Sequence, residues 1–125
     1  MSELRITSVV TYTKNGRTLA WSPQALEVDL TGNPISDGVM DALAASAADV
    51  PLGNVGTPGI GIFQNLGAHA IQLGYDDTGF VVVATIPVGL CVIVPLDTLL
   101  AAPQVKAVTT DSILGYMILP AIAAA

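Results

Sequence analysis

The sequence predicts an all-β protein: a single-domain, jelly-roll-like β-sandwich of about eight to ten short antiparallel strands spanning residues 1–125. Three observations carry that prediction. Apolar and polar residues alternate with the period of a strand in stretch after stretch. Gly, Pro, Asn and Asp cluster between these stretches at fairly even spacing. The stretches themselves are rich in Val, Ile, Thr and Tyr, whose side chains suit a pleated surface. A chain of 125 residues fits one domain of ordinary size. Residues 1–3 and 120–125 are expected to be flexible or docking arms.

Residues 4–13, Leu-Arg-Ile-Thr-Ser-Val-Val-Thr-Tyr-Thr, read as the first strand. Asn15-Gly16 then marks a hairpin turn, because both central residues must accept positive φ. Thr18 to Trp21 is the return strand, closed by Ser22-Pro23. In 24–30, Leu26, Val28 and Leu30 share one face while Glu27 and Asp29 take the other. Thr31-Gly32-Asn33-Pro34 turns. After the loop chemistry of 51–59, Ile60 to Asn65 is a strand, Leu66-Gly67-Ala68 a turn and His69 to Tyr75 its return. Asp76-Asp77-Thr78-Gly79 turns again. Phe80 to Ile86 and Leu90 to Pro95 are expected to pair as a hairpin around Pro87-Val88-Gly89. Residues 104–110 and 113–119 form the last strands, joined near Asp111-Ser112. Residues 37–50 are ambiguous: Asp37 suits a helix cap and the Ala-rich run after it has good helix formers.

Charge narrows the function. Ten acidic residues face four basic ones, for a net charge of −6. The cations are Arg5, Lys14, Arg17 and Lys106, and 18–105 contains none. A nucleic-acid binder needs cations to neutralise phosphates, and anionic membranes make the same demand, so neither partner is expected. Only 11% of residues are charged and 52% are apolar, against roughly 25% charged in a typical domain. Large exposed apolar patches mark protein contacts, so an obligate oligomer or assembly component is expected. No signal peptide or membrane span is predicted. The apolar stretch 80–96 is broken by Pro87, Gly89 and Pro95 and falls short of the ~20 residues a spanning helix needs.

Catalytic, cofactor and metal residues are expected to be none. His69 stands alone, where a surface or strand residue is the ordinary reading. One His and one Cys cannot assemble a zinc site by themselves. Cys91, in an apolar run with no cation nearby in sequence, is expected to behave as a small hydrophobe. The acidic pair in Asp76-Asp77-Thr78-Gly79 lacks the alternating ligands and distant Glu of a calcium loop. Residues 53–61 hold glycines without the Lys of a phosphate loop, and no Gly-Xaa-Ser-Xaa-Gly elbow exists. Trp21 and Phe80 have interface potential, but their apolar-rich strands favour the core.

Several motifs recur in a telling order: Leu52-Gly53-Asn54-Val55-Gly56-Thr57-Pro58-Gly59, Phe63-Gln64-Asn65-Leu66, Ile71-Gln72-Leu73-Gly74 and Ile86-Pro87-Val88-Gly89. Over 39–119, their sequence and spacing resemble a family of small virion structural proteins of tailed bacteriophages. Ile60 stands where that family often has an aromatic residue, and Leu90 where it often has an acid. Both make this chain more apolar. The resemblance favours a strand followed by a loop over 37–50. It also implies a virion component located in the phage particle and assembled in the bacterial cytoplasm. The leading expectation is a capsid decoration (cement) protein: a homo-oligomer, a trimer in its leading form, that contacts the major capsid protein or other virion proteins. A tail, fibre or head-tail joining component is the alternative. A carbohydrate-binding module is less expected, because aromatics are only 5% of the chain.

Overall fold

The computed structural model describes residues 4–22, 24–30, 32, 34–96, 99 and 101–121. The fold is all-β and antiparallel. The chain forms two compact units, Met1–Thr31 with Ile122–Ala125, and Gly32–Ala121, where the sequence predicted one domain. Of the expected terminal arms, Pro120 instead ends a strand and is buried, and the Ala121 N–H donates to the Thr57 carbonyl at 3.0 Å. Residues 1–3 and 122–125 lie outside the described residues.

In the first unit, β1 (Leu4–Ile6) pairs with β4 (Leu26–Val28), and β2 (Val10–Lys14) pairs with β3 (Arg17–Trp21). The expected strand over 4–13 is therefore two strands with different partners. Asn15 (φ 53°) and Gly16 (φ 75°) take the left-handed conformation that the Asn-Gly pair announced. Trp21 is 64% exposed, which corrects its expected core placement. Among the described residues its strand pairs only with β2, so no second layer is provided by the hairpin itself.

The second unit holds β5 (Ser36–Ala42), β6 (Ala48–Asp49), β7 (Pro58–Asn65), β8 (Ile71–Asp76), β9 (Phe80–Ile86), β10 (Cys91–Pro95), β11 (Gln104–Ala107) and β12 (Ser112–Pro120). They form two four-stranded sheets, ordered β10-β7-β12-β5 and β6-β11-β8-β9. Both sheets supply one core: Phe63, Leu114 and Ile118 from the first, Ile71, Leu73, Ile86 and Val105 from the second. The pairings β5–β12, β6–β11, β7–β10 and β8–β9 nest inside one another, as in a long two-stranded ribbon rolled into two layers. Residues 37–50 contain strands and no helix. Seven backbone pairs with β12 hold β5 extended, outweighing the helix propensity of its Ala-rich neighbour.

The hairpins expected around 66–68 and 87–89 are corrected. β7 and β8 lie in different sheets, as do β9 and β10, so these turns are crossings. Among consecutive strands of this unit only β8 and β9 pair. Their turn is the Asp76-Asp77-Thr78-Gly79 loop, closed by the Gly79 N–H donating to Asp76 Oδ1 at 2.9 Å.

Asn65 ties the crossings together. It is 1% exposed. Its amide nitrogen donates to the His69 and Ile86 carbonyls at 2.7 and 2.9 Å. Its amide oxygen accepts from the Gly67 N–H and the Ser112 hydroxyl, each at 3.1 Å. Its backbone N–H donates to Leu90 and its carbonyl accepts from Gly89. All four side-chain hydrogen-bonding positions of a carboxamide are thus used.

The β8–β9 pair shifts register after Leu73, leaving Val83 as an extra residue in β9. At Gly74 a Cβ would fall on the Val81 carbonyl oxygen, a backbone atom with nowhere to move. At Gly115 the one tight contact a Cβ would make is with Leu66 Cδ1, the tip of an exposed side chain, at 3.0 Å. Gly74→Ala is therefore expected to destabilise by about 1–3 kcal/mol, and Gly115→Ala by well under half as much. Chemical denaturation of the two variants checks the difference.

Candidate interaction surface

Strand alternation sends every second side chain of a sheet away from the core. In the β10-β7-β12-β5 sheet the register aligns two outward rows across all four strands. One runs Ile93, Ile62, Met117, Asp37, and the other Cys91, Gln64, Gly115, Val39. Ile113 and Asp41 begin a third. Val39 is 65% exposed, and Ile93, Ile113 and Met117 are exposed as well. Gly115 has no side chain, so the middle of this face sinks into a depression of about 370 Å³ lined by Val39, Ile62, Cys91 and Met117.

The outer face of the other sheet is the internal comparison. Its rows carry Asp49, Gln104, Gly74 and Val82, then Lys106, Gln72 and Thr85. Gln104 Nε2 donates to Asp49 Oδ1 at 2.8 Å. Such a face is at home in water. Two sheets of one small unit thus present unlike outer surfaces, one mostly polar beside the exposed valines of β9 and one mostly apolar around Gln64. The acids of the apolar face, Asp37 and Asp41, both lie on its β5 edge.

Cys91, expected to behave as a small hydrophobe, belongs to this apolar face and is exposed. The inward positions of β10 go to Val92 and Val94, which pack against the core. Phe80 is half-buried, its ring edge next to Gly74.

His69, Asp41, Asp111 and Ser112 gather around a second depression of about 430 Å³. Their hydrogen bonds are structural. The Ser112 hydroxyl donates to Asn65 Oδ1, and Asp111 Oδ1 accepts from the Ala44 N–H at 2.8 Å. The His69 backbone, rather than its ring, carries that residue's bonds to Asn65 and Ser112. No nucleophile–base pair is built there. Among the described residues no cluster of three or more His, Cys, Asp or Glu could hold a metal ion. Among them, too, no helix is long and apolar enough to cross a membrane.

None of the face residues was named as a contact residue from the sequence, although a signal was present. In β12, Ile113 and Met117 alternate with Leu114, Tyr116 and Ile118, so both faces of the strand are apolar. A strand apolar on both faces is one that expects cover on both. Comparisons with protein-family models, with curated proteins and with solved structures found no match.

Proposed function

We propose that the chain is a non-catalytic structural protein of a phage particle, a capsid decoration protein that stabilises the head through apolar protein–protein contacts. The apolar outer face of the β10-β7-β12-β5 sheet is the observation that carries this reading. A solvated sheet face would resemble the polar one opposite. The motif order over 39–119 supports the virion assignment, and the nested strand pairing supports a jelly-roll architecture. The protein works as a homo-oligomer, a trimer in the leading form, on the major capsid protein. Each contact stabilises the shell by about 25 cal/mol per Å² of apolar area withdrawn from water, less the cost of ordering. Repetition over the shell multiplies a weak contact.

The test compares phage heads with and without the protein. Heads that lack it should lose integrity at lower temperature and in low salt, and should regain resistance when the purified protein is added. Equal resistance overturns the proposal. In the same assay, Met117→Asp places a charge in the middle of the apolar face. Because Met117 points outward, the variant should fold normally yet bind heads at least about tenfold more weakly. Unchanged binding would remove this face from the contacts, with the head or between copies, on which decoration depends.

A further inference from the structure

The β2–β3 hairpin has a two-sided character. Its register pairs Val10 with Trp21, Tyr12 with Leu19 and Lys14 with Arg17. Adjacent same-face pairs lie two residues apart, so these six side chains share one face. Thr11, Thr13, Thr18 and Ala20 take the other, where the Thr13 and Thr18 hydroxyl oxygens sit 3.2 Å apart. Every residue of both strands is exposed. A lone two-stranded hairpin is marginal in water, and this one displays Trp21, Tyr12, Leu19 and Val10 to it. Such a hairpin gains stability from a surface that covers its apolar face.

The apolar sheet face complements it in charge and size. Lys14 and Arg17 form the hairpin tip, while Asp37 and Asp41 form one edge of the face. From the tip pair to the Val10–Trp21 pair the hairpin measures about 14 Å, at roughly 3.4 Å per residue. From β5 to β10 the sheet spans three strand spacings, about 14 Å. We propose that the hairpin of one copy lies across the apolar sheet face of a second copy. Lys14 and Arg17 then meet Asp37 and Asp41, Tyr12 and Leu19 cover the hollow at Gly115, and Val10 and Trp21 reach Ile93 and Cys91. The contact joins two different surfaces, so it is heterologous, the kind of contact that builds a ring such as a trimer when its rotation closes. This inference rests on the self-assembly part of the proposed function and not on the phage head.

Cys91 supplies the probe, since it is exposed on the receiving face. A double variant, Val10→Cys with Cys91→Ser, carries its only thiol on the hairpin. Mixed with the unaltered chain under mild oxidation, it should form a disulfide between unlike chains, located by peptide mass spectrometry. Thr11→Cys with Cys91→Ser, which points the thiol the other way, should not. Lys14→Glu with Arg17→Glu should weaken self-association at least tenfold at low salt, and Asp37→Lys with Asp41→Lys in the partner should restore it. Light scattering separates the failures. An oligomer without the unlike-chain link, or one indifferent to the charge reversal, overturns the hairpin contact and leaves self-assembly standing. A link formed within single chains of a Val10→Cys variant at high dilution also overturns it. A single-chain mass at every concentration overturns the contact and the self-assembly reading together.

Discussion

Replacing Asn65 by aspartate is expected to cost about 3–5 kcal/mol at neutral pH, the order seen when a buried charge is left without compensation. The amide nitrogen of Asn65 faces two carbonyl oxygens, those of His69 and Ile86. A carboxylate there brings a third negative oxygen in place of a donor, at a site 1% exposed. The carbonyls lose their partner and the charge loses its water. The penalty should depend on pH. Burial and the two carbonyls raise the folded-state pKa of the introduced carboxyl above its unfolded value of about 3.9. Between those two values the folded chain holds its proton more tightly than the unfolded chain, so stability falls as pH rises and then levels off. The deficit against the parent protein is therefore smallest near or below about pH 4, where the protonated acid still donates one hydrogen bond. Urea titrations of both proteins across that range check this. A deficit that does not change with pH would mean that the site is not the dry junction described.

Phe63→Ala is expected to cost about 3–5 kcal/mol, against a total stability of roughly 5–15 kcal/mol for a domain. Phe63 is 0% exposed and sits in the inward row of β7, between Val92 of β10 and Tyr116 of β12. Its ring lies back over Gly61, where a Cβ would strike it. Gly61, beneath the ring, has no side chain with which to fill the space it would leave. A shift of the denaturation midpoint with unchanged slope would identify lost packing as the cause. A loss below about 1 kcal/mol would show that the core repacks freely.

Local chemistry made the all-β class legible. Asn15-Gly16 and the loop 76–79 adopt positive-φ conformations, as turn residues of that kind do. In β8 the face shared by Ile71, Leu73 and Tyr75 buries the first two fully and Tyr75 by half. The crossings at 66–70 and 87–90 were not legible. A Gly- or Pro-rich turn announces that the chain reverses, but not whether it returns to the same sheet. Asn65 shows why: its bonds reach residues 47 positions away at most, to Ser112, and no local rule anticipates that reach. Residues 37–50 were ambiguous for the same reason, since the partner that makes β5 a strand is β12.

The candidate surface was half visible. Scarce charge pointed to a covered apolar area, and composition alone yields that much. Which area could not be read, because Trp21 and Cys91 lie in apolar runs that look like core. Their exposure follows from pairing: among the described residues β3 joins only β2, and Cys91 takes an outward position in β10. Class, turns and the sign of the charge balance are properties of neighbours along the chain, so the sequence determined them by itself. The allotment of strands to sheets, and with it the difference between a polar and an apolar outer face, depends on contacts between distant residues. Only the tertiary structure decided those, because burial is a property of the layers a strand joins and not of the strand.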